Sequence, residues 1–356
     1  MKNSMILVLC LSAAASPGAG APPCSRVQEA GKKKIACTIP AVRSIAAEVA
    51  GDDFEVFALS KPDENVHTVS PTPNLMRKVG SAELFIEIGL QLEIWAPEVS
   101  NNCGNPRLFP GAPGHIVVSA GISREEMPVG PLSRSQGDVH PEGNPHIWID
   151  PLRAVRMAEN IAAALKKVSP EKTAALDARL EAFRGRIDDA LFGPELVKLV
   201  GSKKLGRLAQ EGKLWTFLQE TEADGAKLST RIGGWLKKAE PLRGESVIEF
   251  HRTWIYFAKL FGFEIVGAIE EKPGIDPGPK HLIELVATMK AKKARLIVVE
   301  NFQESAKPRR VAEESGAVVV TVPAQPGGEE GTEAYVAFID RVVSKLVDGL
   351  KSSGKK

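Results

Sequence analysis

The sequence NPHIWIDP at residues 144–151 marks the point around which this chain's fold is organised. His146 follows a proline here, and Asp150 precedes a second proline in the manner of a helix start. A helical pattern then runs over residues 153–168, and a Ser-Pro pair opens a second helix at residues 169–192. Between the Ser169 N-cap and about Leu191, roughly 22 residues at 1.5 Å each make this second helix about 33 Å long, which is enough to cross a whole domain.

Strands alternate with helices on both sides of this long helical stretch. Such alternation is typical of parallel sheets that are covered by helices on both faces. We therefore predict an α/β protein of two lobes, each a mainly parallel sheet flanked by helices, joined by one long rigid helix. The predicted strands lie at residues 33–40, 54–59, 84–88 and 114–119 before the helical stretch, and at 245–250, 264–268, 295–299 and 317–322 after it.

Length and composition agree with two domains. The chain has 356 residues, 43% of them hydrophobic, and its net charge of +2 offers no electrostatic reason to bind nucleic acid. We predict an N-terminal lobe at 33–168, a linking helix at 169–192, an insertion or extended connection at 193–243, and a C-terminal lobe at 244–350.

The amino terminus has the pattern of a secretory signal peptide. A basic start is followed by an apolar run at residues 5–15 and by small residues that end at Ala21. The apolar run is too short to span a bilayer as a helix. We predict that residues 1–21 are removed and that the mature protein is periplasmic or secreted.

The mature chain would keep an odd number of cysteines, namely Cys24, Cys37 and Cys103. One disulfide among them is compatible with an oxidising compartment. Cys37 is equally well interpreted as a small hydrophobic residue buried in the first strand. A lipid anchor on Cys24 is an alternative, although Ala21-Pro22-Pro23 does not resemble the run of small residues that usually precedes a lipidated cysteine.

Three of the six histidines share one local pattern. His67, His146 and His251 each follow a loop or a strand end and precede a helix-like run. Imidazoles that come from three distant segments can build a transition-metal site, and neutral imidazole suits Zn, Cu, Fe and Ni. We interpret His115, inside a strand, and His281, on a charged helix, as structural residues.

Two further residues are candidates for completing such a site. Glu300 lies at the end of a predicted strand, as His251 does. Ligands of open α/β sheets gather beyond the carboxyl ends of strands. Its carboxylate would complete a tetrahedral N3O set, or would accept a hydrogen bond from a ligand ring. His140, in a polar loop six residues before His146, is a possible auxiliary ligand or part of a lid. No catalytic residues are predicted, because hydrolase and P-loop motifs are absent from the sequence.

Several segments together resemble one protein family. The chain resembles the metal-binding, cluster A-I solute-binding proteins of ABC transporters, the periplasmic zinc and manganese receptors, over nearly all of its mature length. The segments that carry the resemblance are VHTVSPTP at 66–73, GLQLEIW at 89–95, GNPHIWIDP at 143–151, HRTWIYF at 251–257 with FG at 261–262, KPGI at 272–275 and VVE at 298–300.

The resemblance implies one metal ion in a cleft between the lobes. It implies ligands His67 and His146 from the N-terminal lobe and His251 from the C-terminal lobe. Manganese-preferring members tend to have a carboxylate in place of His251, so the histidine favours zinc. The chain departs from the family at residues 323–326, PAQP, where members often have a ligating aspartate, and in a 193–243 stretch that is longer than the family core.

From these observations we predict an exported, monomeric receptor that captures Zn²⁺ in the cleft between the lobes and delivers it to an ABC permease. It would perform no chemistry. A manganese or iron receptor of the same fold is an alternative. A zinc-dependent hydrolase is another, because three histidines with an open fourth position also form catalytic zinc sites. A metal chaperone or an adhesin that works without a permease is a third.

Overall fold

A computed structural model of the chain describes residues 31–130, 137 and 139–354. The predicted signal peptide and Cys24 lie outside the described residues. Cys37 and Cys103 are free thiols and both are buried. Within the described ranges, no helix combines the length and the apolar character that a membrane crossing requires.

The first half of the chain builds one four-stranded sheet with helices around it. Its elements are β1 Lys33–Cys37, α1 Pro40–Ala50, β2 Phe54–Ala58, α2 Pro73–Gly80, β3 Leu84–Glu87, α3 Ala96–Asn101, β4 His115–Val117 and α4 Pro151–Val168. The strands are all parallel, in the order β2-β1-β3-β4. Ile35, Ala36 and Cys37 of β1 are all fully buried, as expected of a central parallel strand that is covered on both faces.

The second half repeats this architecture after a set of connecting helices. Its elements are α5 Thr173–Phe192, α6 Pro194–Val200, α7 Ser202–Gln210, α8 Leu214–Glu220, β5 Glu222–Ala223, β6 Ala226–Lys227, α9 Gly234–Lys238, β7 Ser246–Glu249, α10 Ile255–Phe261, β8 Glu264–Ala268, α11 Pro279–Lys292, β9 Leu296–Glu300, α12 Ala306–Ser315, β10 Val318–Val322 and α13 Tyr335–Ser353. The second sheet is also fully parallel, in the order β10-β9-β7-β8. Two parallel sheets flanked by helices confirm the predicted fold class.

The long helix α5 joins the two sheets, as predicted. It is preceded by one 3-10 turn, Pro170–Lys172, so the predicted single helix at 169–192 starts with a tighter turn. Its 20 residues correspond to about 30 Å. Leu176, Phe183 and Ile187 lie on its buried face. The helix packs on α1 and α4 of the first half and on α9 and α13 of the second.

The stretch predicted as an insertion forms short helices that pack on the rest of the molecule. α6, α7 and α8 follow one another with short connections, and β5 and β6 form a small antiparallel ribbon. The helices contribute leucines to the main hydrophobic core, namely Leu196, Leu205, Leu208, Leu214 and Leu218. This stretch is therefore an integral part of the fold and not an extended linker.

Buried hydrogen bonds cross between the two halves. The Tyr335 hydroxyl donates to the carbonyl oxygen of Trp148 at 2.6 Å. The Ala41 backbone N–H donates to Oε1 of Gln325 at 3.0 Å, and the Tyr256 hydroxyl donates to the carbonyl oxygen of Asn144 at 2.5 Å. Because breaking a buried hydrogen bond is costly, these links favour small relative movements of the lobes over wide opening.

Candidate metal centre

His67 stands in the loop between β2 and α2. Its backbone N–H donates to Oδ1 of Asn65 at 3.0 Å, which forms a local turn. The indole N–H of Trp95 donates to the carbonyl oxygen of Val66 at 2.9 Å. The segment GLQLEIW at 89–95, one of those that carry the family resemblance, therefore supports the backbone from which the His67 ring projects.

His146 precedes a 3-10 turn and the start of α4. Asp150 caps that helix, since its carboxylate accepts the backbone N–H of Leu152 at 2.8 Å. Oδ1 of Asn144 lies 2.9 Å from both the backbone nitrogen and Nδ1 of His146. An amide oxygen can only accept, so the Nδ1 hydrogen points at Asn144 and Nε2 keeps its lone pair for a ligand bond.

His251 follows the buried strand β7 at its carboxyl end, as predicted. Its Nδ1 lies 2.8 Å from Oε2 of Glu270, which comes just after the neighbouring strand β8. Nδ1 of the His251 ring thus has a carboxylate partner, and this leaves Nε2 to face the other two histidines.

The three histidines converge on one point. One ring nitrogen from each of His67, His146 and His251 lies within 4.8 Å of the other two. The Nε2 atoms of His67 and His146 are 3.1 Å apart. Two nitrogens bound to a tetrahedral zinc ion at 2.0–2.1 Å would be about 3.3 Å apart, so the rings need little adjustment to share an ion. The three segments predicted from their common pattern do meet.

Burial keeps two of these rings in the form that binds metal. His67 is 7% exposed and His146 is 3% exposed. Desolvation lowers the pKa of each well below its ordinary value, and the neighbouring imidazoles lower it further. A neutral ring is the ligand form of histidine, so these two nitrogens are ready to bind without first losing a proton.

Glu300 lies at the carboxyl end of β9 and lines the same small cavity of about 60 Å³ as the three histidines. Its carboxylate is not among the atoms that lie within 4.8 Å of one another. The Gln303 side-chain amide donates to its Oε2 at 2.6 Å. Burial raises the pKa of Glu300 to about 7, against the opposing attraction of His251. It is placed near the centre but directed toward Gln303 in this structure.

His140 lies over the other side of the cluster. Its ring stacks on His67 with centroids 5.3 Å apart and is 6.3 Å from the ring of His146. It shares an adjoining cavity with His146, His251 and Pro273. Like Glu300, it borders the three-histidine group without belonging to it.

The other two histidines have the structural contacts expected of them. Nδ1 of His115 is 3.1 Å from the carbonyl oxygen of Leu108, and its Nε2 is 3.0 Å from the Glu87 carboxylate. Nε2 of His281 is 2.9 Å from the carbonyl oxygen of Ala268. Neither belongs to the converging group.

Sequence reasoning missed the groups that hold the histidine rings. Asn144 stood in the quoted stretch but was not given a role. Glu270 lies two residues before the KPGI segment at 272–275 and was given no role, because nothing in the sequence relates it to His251. Gln325, in the segment where a ligating aspartate was expected, is 1% exposed and lines the cavity.

Comparison with known proteins assigns the family. The profile described as "Zinc-uptake complex component A periplasmic" matches residues 35–191 and 216–349. The chain belongs to this family. Members of the zinc-uptake family are periplasmic metal-binding solute-binding proteins that deliver metal to ABC transporter permeases, and they are not enzymes. The hydrolase alternative is therefore wrong. The unmatched residues between the two ranges are 192–215, and all but the first lie in the predicted 193–243 stretch.

Relatives in the zinc-uptake family bind different metals. The chain is 25% identical over 324 residues to the iron-binding protein YfeA of Yersinia pestis, covering 89% of this chain and 86% of that protein. It is 23% identical over 333 residues to the zinc-binding lipoprotein AdcA of Streptococcus pneumoniae, covering 93% of this chain but only 58% of AdcA. The metal named for these two relatives therefore differs, iron for one and zinc for the other.

Solved structures establish the same fold. A zinc-bound ZnuA deletion mutant superposes with a TM-score of 0.64 at 21% identity, covering 89% of this chain and 98% of that chain. The solute-binding protein FpvC of Pseudomonas aeruginosa, in complex with Mn²⁺, gives 0.64 at 19% identity, covering 91% and 100%. Since the identities are low, these structures support the architecture and not the choice of metal.

Proposed function

We propose that this chain captures Zn²⁺ between its two lobes and delivers it to an ABC permease. The proposed ligands are Nε2 of His67, His146 and His251. The observation that carries the proposal is that one nitrogen from each ring lies within 4.8 Å of the other two, although the residues are far apart in sequence. The proposed lobes are residues 33–168 and 244–350, so that each lobe contributes to the site.

The donor set is the reason for choosing zinc. Three neutral nitrogens suit a borderline ion such as Zn²⁺, whereas Mn²⁺ is better served by carboxylate, carbonyl and water oxygens. Tetrahedral zinc needs one more donor. Glu300 is the proposed fourth ligand, because it is buried at the cavity wall and its charge would offset part of the charge of the ion. His140 is the proposed auxiliary ligand.

A manganese or iron receptor is the second candidate. The carboxylates of Glu300 and Glu270 both line the cavity, and an iron-binding relative and an Mn²⁺-bound structural neighbour share the fold. The two candidates differ in a measurable way, because a nitrogen-rich site should discriminate strongly against Mn²⁺.

Metal titration of the purified mature protein tests the proposal. The metal-free protein is titrated with Zn²⁺, Mn²⁺ and Fe²⁺ in competition with a chelator, beside His67→Ala, His146→Ala and His251→Ala. His281→Ala is the matched control, because it removes an imidazole outside the converging group. We expect one Zn²⁺ per chain, Mn²⁺ bound more weakly, and loss of zinc in the three ligand variants only.

Two results would overturn parts of this proposal. Full zinc stoichiometry in all three ligand variants would show that the site lies elsewhere. Tighter binding of Mn²⁺ or Fe²⁺ than of Zn²⁺ would replace the zinc assignment with the second candidate. Delivery is tested separately, because deleting this protein or the ABC permease it is proposed to serve should impair growth when zinc is limiting.

A further inference from the structure

Glu270 makes two contacts with a single oxygen. Its Oε2 lies 2.8 Å from Nδ1 of His251 and also accepts the backbone N–H of Gly274 at 3.0 Å. The residue follows β8, which pairs with β7, so both side chains come from the carboxyl ends of neighbouring strands. The carboxylate is 17% exposed on its side chain, so water only partly screens it from the ring.

The contact with His251 determines which nitrogen can bind metal. A carboxylate oxygen accepts the Nδ1 hydrogen of a neutral ring, so Nε2 keeps the lone pair that faces His67 and His146. Such an acceptor also makes the ring a stronger donor to the ion. The partner of His146 is the neutral amide of Asn144, so of these two rings only His251 has a charged partner.

The contact with Gly274 connects the ring to a loop over the cavity. Gly274 follows Pro273, whose carbonyl oxygen would be only 2.3 Å from a Cβ atom built on Gly137. Gly137 belongs to the segment that carries His140, and Pro273 and His140 line one cavity. A single carboxylate thus connects the His251 ring to the place where loops of the two halves touch.

We propose that Glu270 is a positioning residue for metal capture. It holds His251 with Nε2 toward the ion, strengthens that donor with its negative charge, and ties the ring to the loop at Gly274 and Pro273. Metal bound at His251 therefore orders the loop at Gly274 through this carboxylate. This inference rests on the proposed function, since it requires His251 to be a ligand.

Two substitutions separate the charge from the contact. Glu270→Gln keeps an oxygen that can accept both hydrogen bonds but removes the charge, whereas Glu270→Ala removes both. Glu271→Gln is the matched control, because it removes the same charge from the adjacent, exposed residue. We expect Glu270→Ala to weaken zinc binding about 10- to 100-fold, Glu270→Gln to lie in between, and the control to bind like the wild type.

Two further readouts respond to positioning and not to general damage. The visible absorption of bound Co²⁺ should change in Glu270→Ala because the orientation of the His251 ring changes, and Glu270→Gln should restore it in part. Zinc should protect the Gly274 amide from hydrogen exchange in the wild type and less so in Glu270→Ala. Circular dichroism of each metal-free variant verifies that it is folded.

The outcomes distinguish this inference from the proposed function. If His251→Ala loses zinc while both Glu270 variants bind and absorb like the wild type, the inference is wrong and the zinc site stands. If His251→Ala keeps zinc, the site itself is wrong. Equal weakening in Glu270→Gln and Glu271→Gln would reveal an effect of overall charge, which also overturns the positioning role.

Discussion

The hydrogen bond from Tyr335 to Trp148 offers the sharpest test of how the two halves are joined. Tyr335 is fully buried, and burial raises the pKa of its hydroxyl well above the ordinary value, to which the charge of Asp150 adds. The hydroxyl therefore stays a donor to the Trp148 carbonyl oxygen, 2.6 Å away. Tyr335→Phe removes this donor and leaves the ring packing in place.

The expected loss of stability in Tyr335→Phe comes from the Trp148 carbonyl oxygen, which keeps no hydrogen-bond donor from Tyr335. A buried acceptor without a partner costs about 1–3 kcal/mol of unfolding free energy. The unfolding entropy is roughly 2.1 cal/mol/K per residue, or about 0.7 kcal/mol/K over roughly 320 described residues, so this cost lowers Tm by about 1.5–4 °C. Because Trp148 lies two residues after His146, zinc affinity should fall as well.

Scanning calorimetry of the metal-free protein measures the first effect, and chelator competition measures the second. Ser352→Ala is the control, since it deletes a hydroxyl whose bond to Gly349 is exposed on α13, and we expect its stability to change by less than about 0.5 kcal/mol. If Tm of Tyr335→Phe stays within about 0.5 °C of the wild type, the bond does not join the halves as inferred.

Three further predictions concern the site and its loops. Burial lowers the pKa values of His67 and His146 in the folded chain. As the pH falls through about 6.5, these two rings therefore take up protons in the unfolded chain only, which favours unfolding. Urea unfolding should show that the metal-free protein loses stability from about pH 7.5 to about 5.5. Gly137→Ala should speed zinc release in stopped-flow chelation, because its Cβ would meet the Pro273 carbonyl oxygen at 2.3 Å. Trp95→Phe should weaken zinc binding several-fold in competition titration, because an acceptor beside His67 loses its donor at 2.9 Å.

Each of these predictions has a control or a contrary outcome. Gly130 also has positive φ but no atom near a built Cβ, so Gly130→Ala should strain the backbone without speeding release. Trp215→Phe removes an indole whose nitrogen has no hydrogen-bond partner among the described residues, and it should bind zinc normally. Equal effects in test and control variants would contradict both loop predictions. Stability that stays constant from pH 7.5 to 5.5 would contradict the histidine prediction.

Proton competition should begin at a lower pH than free histidine suggests. Near pH 6.5, the ordinary pKa of histidine, protons already compete with a metal ion for the nitrogen of an isolated imidazole. Burial lowers the pKa of His67 and His146 well below that value, so the folded site resists acid better than its ligands would in water. Burial shifts the pKa of Glu300 in the opposite direction, up to about 7. Metal binding to its carboxylate would therefore release a proton below about that pH.

Much of the fold was predictable because it depends on local patterns. Pro151 after Asp150 marks the start of α4, and the buried runs of β1 and β9 have the composition of central parallel strands. The positions of His251 and Glu300 at strand ends also follow from local order, since parallel strands bring their carboxyl ends to one edge.

What the amino-acid sequence determined by itself was the alternation of elements, the linking helix and which histidines have the context of ligands. Tertiary structure alone decided which side chains hold those rings. Asn144 is near His146 in sequence, but Glu270 is paired with His251 across two strands, and Trp95 supports Val66 from a separate loop. Such contacts depend on how strands and loops pack in space, and a side-chain hydrogen bond between distant segments leaves no periodic trace in sequence. For the same reason, the direction of Glu300 toward Gln303 was decided only by the folded chain.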